Sequence, residues 1–367
     1  MKILYVTTVG LTMTFFGSII RELLDKGYTV DIACNESDSQ VPDCYRDWGC
    51  GIHRIDCVRT PFAAGNARAV GQIRRLVREN GYGIVHCHTP IAAACTRLAC
   101  KDLRKEGVRV FYTAHGFHFY RGAPLKSWLL YYPIEKLCAH FTDTLITINR
   151  EDYALAKRKM KAGQVVYVPG VGIDVDKFRN TVVDRPAKRK ELGIPEDAFL
   201  LLSVGELNEN KNHQIVIRAL AELNDPSIHY AIAGNGALAE YLTALAEQLG
   251  VADRVHLLGY RRDVAELYKT ADVDVFPSIR EGLGLAAIEG MAAGMPLICS
   301  DNRGTRDYAV NGMNALVCSS VGGYAEAISC LRVDHQLREE LGRAGSRSAE
   351  RFSVGEVNRE MLKVYTK

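Results

Sequence analysis

The sequence predicts an α/β protein made of two doubly wound, parallel-sheet domains in tandem. Three observations predict it. Short β-rich runs alternate with helix-length amphipathic segments along the whole chain, the pattern of parallel strands joined by helical crossovers. The alternation breaks once, at Pro169-Gly170-Val171-Gly172-Ile173-Asp174 and the polar stretch up to Arg189, and then restarts. A length of 367 residues suits two cores better than one.

In the first half, strands are expected at residues 3–7, 29–33, 84–86, 108–113, 144–148 and 164–168. Helices fall between them at 14–26, 67–79, 91–105, 125–140 and 150–161, the first closed by Gly27. After the break, strands are expected at 199–203, 229–233, 255–258, 273–276, 296–299 and 315–317, with helices at 213–223 and 237–249. Helical runs at 335–351 and 354–367 end the chain. The domains are therefore read as 1–170, a linker over 171–189, and 190–350. The C-terminal helix, 351–367, is expected to pack back on the first domain.

Composition excludes several classes. Apolar residues make up 47% and charged residues 24%, the balance of a globular protein. The apolar opening of the chain is strand length, so no signal peptide is read, and no run approaches the roughly 20 apolar residues of a membrane span. The eleven cysteines are scattered with no Cys-x-x-Cys pair, which suits a reducing, cytoplasmic setting. The net charge of +3 hides an asymmetry: residues 1–170 hold 23 Lys and Arg against 15 Asp and Glu, and the remainder holds 23 against 28. The basic half fits an anionic partner, or simply solvated helix faces. Its arginines (Arg68, Arg74, Arg75, Arg78) and the group Arg97, Lys101, Arg104, Lys105 are not interleaved with aromatics, so no nucleic acid is expected. Residues 125–137, with Trp128, Tyr131 and Tyr132, suit either a membrane interface or packing on the sheet.

In open α/β sheets, ligands bind at the carboxyl ends of strands where strand order reverses. The most informative such loop is Pro277-Ser278-Ile279-Arg280-Glu281-Gly282-Leu283-Gly284-Leu285-Ala286-Ala287-Ile288-Glu289. A strand ends at Pro277, two glycines shape a turn, and a helix opens near Leu283. The backbone N–H groups and dipole at a helix start form an anion site that fits a diphosphate. Glu281 and Glu289 add two carboxylates suited to the hydroxyls of a sugar and a ribose. A glycine-shaped loop with two surface glutamates is the plainer alternative.

Glu281-x7-Glu289 with Gly282 and Gly284 resembles the Glu-x7-Glu motif of retaining glycosyltransferases of family 4, which have the GT-B fold. The likeness spans nearly the whole chain. His86-Cys87-His88-Thr89-Pro90 resembles the family's His-x-His-x-Pro turn, and Thr113-Ala114-His115-Gly116 its histidine turn. Ser203-Val204-Gly205 with Lys211-Asn212 resembles its phosphate-binding loop, and Val171-Gly172-Ile173-Asp174 its linker entry. The run 113–120 with Pro133-Ile134-Glu135 is most similar to the bacterial branch that builds capsular and exopolysaccharide repeat units.

The resemblance implies two facing Rossmann-like domains, the first serving the acceptor and the second the nucleotide-sugar donor. It implies that Glu289 holds the ribose and Glu281 the donor-sugar hydroxyls. The backbone of Gly282, Leu283, Gly284 and Leu285 meets the diphosphate or sugar, with Gly205 and Asn210 in the donor loop. Lys211 neutralises the leaving diphosphate, and His115 stands beside the donor sugar. Tyr260 and Arg261 frame the base, while Gly10, Thr12, His86 and His88 lie on the acceptor side. Two departures stand out. Glu206 occupies the place where the family often has arginine, and the first loop, Thr8-Val9-Gly10-Leu11-Thr12-Met13-Thr14, lacks the paired glycines. Hydroxyls of Thr12 or Thr14 are the candidate substitutes.

Three patterns are set aside. Asp272-Val273-Asp274 has the form of a metal-holding Asp-x-Asp but opens an apolar strand. His86 and His88 have chelating spacing without a third ligand. Gly234-Asn235-Gly236 is a lone glycine turn, weak evidence for NAD. The function expected is metal-independent, cofactor-free retaining transfer of a hexose or N-acetylhexosamine. The donor is a UDP-sugar and the acceptor a polyprenyl-diphosphate-linked saccharide, with peripheral contact at the inner face of an anionic membrane. A UDP-sugar epimerase of the same fold and a noncatalytic nucleotide-sugar binder are the alternatives.

Overall fold

A computed structural model describes residues 1–366. The chain forms two units: Met1–Gly172 together with the C-terminal helix α15 (Val354–Thr366), and Ile173–Ser353.

The first unit is a parallel sheet of β1 (Lys2–Val9), β2 (Thr29–Asn35), β3 (Ile52–Arg54), β4 (Ile84–His88), β5 (Arg109–Ala114), β6 (Thr144–Thr147) and β7 (Gln164–Tyr167), in the order β3-β2-β1-β4-β5-β6-β7. Its helices are α1 (Gly17–Asp25), α2 (Cys44–Asp47), α3 (Ala64–Asn80), α4 (Pro90–Cys100), α5 (Leu125–Ala139) and α6 (Arg150–Lys159). Side chains alternate across a strand, so β1 feeds two cores. Leu4 and Val6 join Ile73 and Val77 of α3 on one face, whereas Ile3 and Tyr5 join α1 and α15 on the other. In α15, Val357, Met361, Val364 and Tyr365 repeat at helical spacing and bury against that second face. Asn358 Nδ2 ties the helix to Ser18 Oγ at 2.8 Å and to Glu22 Oε2 at 2.9 Å.

The second unit is a parallel sheet of β8 (Phe199–Val204), β9 (Ile228–Ala233), β10 (Val255–Gly259), β11 (Val273–Phe276), β12 (Leu297–Ser300) and β13 (Leu316–Cys318), in the order β10-β9-β8-β11-β12-β13. Its helices are α7 (Val175–Asn180), α8 (Arg185–Glu191), α9 (His213–Leu223), α10 (Ala239–Gln248), α11 (Val264–Thr270), α12 (Leu285–Ala292), α13 (Val321–Val333) and α14 (His335–Ala349). Strand order reverses between β1 and β4 in the first sheet and between β8 and β11 in the second. Those are the two ligand crevices of this topology.

The expected linker over 171–189 is instead two capped helices of the second unit. Asp174 and Asp184 accept hydrogen bonds from the amides of Lys177 and Ala187 and start α7 and α8. Arg189 then buries its guanidinium against Asp272 at 2.8 Å and the Ala198 carbonyl at 2.8 Å. Polar composition disguised structure whose charges are paired. Helix α13 was not expected because Gly322-Gly323 follows its start, yet Ser320 caps it through the Gly323 amide. Strand β3 has a single aliphatic residue, Ile52, too little to register as an apolar run. Residues 10–15 form a 3-10 turn ahead of α1 rather than part of that helix.

Candidate functional site

The crevice of the second unit lies between the loops after β8 and β11. Two backbone-level contacts join these loops: the Ile279 amide donates to the Asn210 carbonyl at 2.8 Å, and Asn210 Nδ2 to the Arg280 carbonyl at 2.9 Å. Asn210 thus bridges the two loops. Lys211, one residue on, reaches across and places Nζ 2.7 Å from Glu281 Oε1. Its ammonium also lies 5.1 Å from the centroid of the Phe276 ring, which holds it in position. Glu281 is itself set from below, because Arg303 Nε donates to its carbonyl at 3.0 Å.

Gly284 caps α12 at φ +89°, a left-handed conformation, and a Cβ there would press on the Phe276 ring. Leu283 is buried. The turn therefore points Leu283 inward and leaves the amides that open α12 without intrahelical partners, as at any helix start. Glu289 sits about one turn into α12, nearer its start than expected. Burial pushes its carboxyl up to about 7, against a smaller opposing pull from Lys177. Asp274 of β11 lies close enough to interact with it. Burial first, and the Glu289 charge second, push the Asp274 carboxyl well above the usual carboxylate range. Its Oδ2 is buried with no hydrogen-bond partner.

The remaining donor-side residues fall around this core. Gly205 follows β8, where its amide donates to the Ala233 carbonyl at 3.0 Å. A Cβ at Gly234 would overlap the Gly205 carbonyl oxygen, so the Gly234-Asn235-Gly236 turn exists to let two loop backbones touch. Tyr260 projects into solvent. Arg261 is tied to Asp263 at 2.8 and 2.6 Å and to Glu191 at 2.6 Å, a network that anchors α8. Of the Asp-x-Asp pair, Asp272 is bound by Arg185 and Arg189, each at 2.8 Å, and Asp274 is buried.

In the first unit, the crevice after β1 and β4 contains a cavity of about 310 Å³ lined in part by Thr8, Thr12, Arg59, Thr89 and His118. Thr89 adopts φ +62°, a strained conformation for a β-branched residue, and Thr8 Oγ1 holds its hydroxyl at 2.7 Å. Gly10 lies against the backbone of Ser39 and Gln40, which leaves no room for a side chain. Thr14, the other hydroxyl considered at this loop, donates to the Leu11 carbonyl at 2.8 Å and closes the 3-10 turn.

His86 does not line the cavity that holds Thr8 and Thr12. It is fully buried within β4, with Nδ1 2.5 Å from Tyr365 Oη of α15 and Nε2 2.8 Å from Thr113 Oγ1. The strand runs on to His88, so both histidines face the core that α1 and α15 cover, and burial lowers His86 to about 3. His88 connects onward: its Nδ1 is 3.1 Å from Nε2 of His115 at the end of β5. Burial lowers His115 to about 4, so it is a neutral imidazole at physiological pH.

The structure thus gathers Gly205, Asn210, Lys211, Glu281, Gly282, Leu283, Gly284 and Leu285 at one crevice, with Glu289 behind them. Thr12 lies at the other crevice, and His88 and His115 form a separate pair in the first unit. Sequence reasoning missed Arg303, Asp274, Arg59 and the Thr8–Thr89 pair. The loop Asp301-Asn302-Arg303-Gly304-Thr305 after an expected strand was the available signal for the first. Asn302 Oδ1 organises it by accepting from the Gly304 and Thr305 amides. Asp274 stood in the Asp272-Val273-Asp274 pattern that was set aside, Thr8 and Thr89 lay in loops read for other residues, and nothing in the sequence marked Arg59.

Comparisons with known proteins give the family and the fold. Residues 2–149 match the family model described as glycosyl transferase 4-like, and residues 184–348 match glycosyl transferases group 1. EpsD of Bacillus subtilis strain 168, named as a glycosyltransferase, is 37% identical over 372 residues, covering 100% of this chain and 96% of that protein. The UDP-Gal:α-D-GlcNAc-diphosphoundecaprenol α-1,3-galactosyltransferase of Escherichia coli is 29% identical over 83% of this chain and 77% of its own. Anabaena HepE, solved with UDP and glucose, shares the fold with a TM-score of 0.83 at 18% identity, and each chain is covered in full. The chain is a GT-B glycosyltransferase, a member of the group 1 and 4-like family.

Proposed function

We propose that this glycosyltransferase moves a hexose or N-acetylhexosamine from a UDP-sugar to a polyprenyl-diphosphate-linked saccharide. The transfer retains anomeric configuration and serves capsule or exopolysaccharide assembly. The observation that carries this reading is the Lys211–Glu281 pair at the head of α12, with Glu289 behind it. An ammonium and a helix N-terminus meet at one crevice, which suits a diphosphate. Two carboxylates beside it suit the donor sugar and the ribose. The E. coli relative supports UDP and a lipid diphosphate acceptor by its name, and HepE was solved with UDP.

In this reading the charge of the leaving diphosphate falls to Lys211 and the amides opening α12, with no metal. Asp272 is already saturated by two arginines. His115, held neutral, offers a hydrogen bond to the transferring sugar without adding charge. The acceptor uses the cavity of Thr8, Thr12 and Arg59, and the enzyme works at the cytoplasmic face of the membrane.

Ligand-dependent unfolding tests the donor. UDP or a UDP-sugar at 100 times its dissociation constant is expected to stabilise the protein by about 2.7 kcal/mol, equally with Mg²⁺ or EDTA, while GDP, ADP and NAD do little. Stabilisation by NAD alone, or only with Mg²⁺, overturns the reading.

The carboxyl of Glu289 supplies a second test. The folded state holds this proton more tightly than the unfolded chain does. The group therefore lowers stability as pH climbs from the ordinary carboxylate range to about 7. Ribose hydroxyls donate to the ionised form, so UDP affinity should rise about tenfold per pH unit up to about 7 and level above it. Glu289→Gln should flatten that profile. A profile of opposite slope would remove Glu289 from ribose binding.

A further inference from the structure

Helix α5 carries large apolar side chains on both halves of its circumference, yet only one half is covered. A helix of that kind is normally enclosed on every side. Glu135, Cys138 and Ala139 are buried, and Trp128, Tyr131 and Tyr132 pack partly on the core of the sheet. The opposite half carries Leu125, Leu129, Leu130, Ile134 and Leu137, which are 73, 70, 38, 36 and 56% exposed. Spacings of three, four, seven and eight residues place them along one stripe. Monomeric proteins leave such contiguous apolar surface bare where something else covers it.

Charge says what covers it. In residues 121–140 the exposed charged side chains are Arg121, Lys126 and Lys136, all cationic. The one acid, Glu135, points inward and is consumed by Arg97 at 2.8 Å. Lys126 and Lys136 lie on the same exposed half as the leucines. A second copy of the helix would oppose like charges across a two-fold axis, whereas anionic headgroups neutralise them. Residues 1–170 carry a net charge of +8, from 23 basic and 15 acidic residues, which adds a longer-range pull of the same sign. Fifteen residues span about 22 Å, short of the ~30 Å hydrocarbon layer, and no described helix is long and apolar enough to cross a membrane. The geometry is that of a helix lying in the interface, with lysine stems reaching to the phosphates.

Helix α5 also borders the cavity proposed for the acceptor. Tyr131, on the inner side of α5, stacks on His118 at 4.4 Å, and both line the cavity that holds Thr8, Thr12 and Arg59. We propose that α5 is the surface on which this glycosyltransferase docks to an anionic bilayer. Its five aliphatic side chains enter the acyl boundary, and the cavity is presented to an acceptor whose lipid tail stays in the membrane. This deepens, and rests on, the lipid-linked acceptor proposed above.

The test is cosedimentation of the full chain with vesicles of phosphatidylglycerol and phosphatidylcholine, against phosphatidylcholine alone. Wild type should partition at least about tenfold better onto the anionic vesicles, in a salt-sensitive manner. Leu129→Ser/Leu137→Ser, at two positions that are more than half exposed and tolerate polarity, should reduce that partition by about tenfold or more. Lys126→Glu/Lys136→Glu should abolish the preference for anionic lipid. Turnover on a water-soluble acceptor should be unchanged in both variants. Failure of wild type to sediment with vesicles, or wild-type binding by the serine variant, overturns the proposal. So does a lipid-free dimer that the serine substitutions dissolve, which would assign the stripe to a second copy. Nucleotide stabilisation is read separately, so vesicle binding can fail while the transferase reading stands.

Discussion

Lys211→Ala is expected to lower turnover at least about tenfold, toward the roughly hundred- to thousandfold seen when one preorganised donor to a developing negative charge is lost. The reason is positional. Lys211 is fixed by three things before any substrate arrives: its amide donates to Asn208 Oδ1 at 3.0 Å, its ammonium meets Glu281 at 2.7 Å, and Phe276 lies beneath it. In the absence of donor, Glu281 neutralises the ammonium. A bound diphosphate adds a second anion to the same cation, and its negative charge grows as the sugar departs. The effect should therefore fall more on kcat than on the dissociation constant for UDP. Lys211→Gln, one atom shorter, which keeps a donor but removes the charge, should resemble alanine. A kcat within twofold of wild type for both variants would remove Lys211 from the reaction.

Glu135→Ala is expected to destabilise the first unit by about 3–5 kcal/mol, the cost of leaving a buried charge unpaired. Arg97 is 1% exposed, and its Nη1 lies 2.8 Å from Glu135 Oε2. Its guanidinium also stacks on Tyr112 at 4.2 Å, and Tyr112 Oη donates to Glu135 Oε1 at 3.2 Å. Nη2 already has no partner, so no other acceptor stands ready to replace the lost carboxylate. Thermal unfolding should show the first unit's transition lowered by on the order of 10 °C. Arg97→Met/Glu135→Leu, which removes both charges, should recover most of that loss. A single alanine substitution costing less than about 1 kcal/mol would show that water reaches Arg97.

How far the sequence could be read depended on how local each determinant was. Parallel strands buried on both faces are runs of apolar residues, and runs such as residues 273–276 and helices such as 213–223 were legible at their observed bounds. The Glu281 to Glu289 segment was legible because a strand end, a turn and a helix start occupy one short stretch. The partners of His86 were not legible because they are distant: Thr113 lies 27 residues away and Tyr365 lies 279 away. Nothing around His86 in the chain signals that α15 will cover it. The linker was misread for a related reason. Asp174 and Asp184 look like loop residues until their caps are seen, and Arg189 looks solvated until Asp272 is placed beside it.

The sequence by itself determined the α/β class, the two sheets, the glycosyltransferase family and the loop that holds Glu281 and Glu289. Each depends on periodicity or on residues that are neighbours in the chain. Only the tertiary structure decided that Lys211 pairs with Glu281, that burial beside Glu289 pushes the Asp274 carboxyl up, and that Arg97 consumes the acid of α5 and leaves that helix with a cationic, apolar outer half. Those properties arise from burial and from charges brought together across 70, 15 and 38 residues of chain, and none exists until each unit has folded.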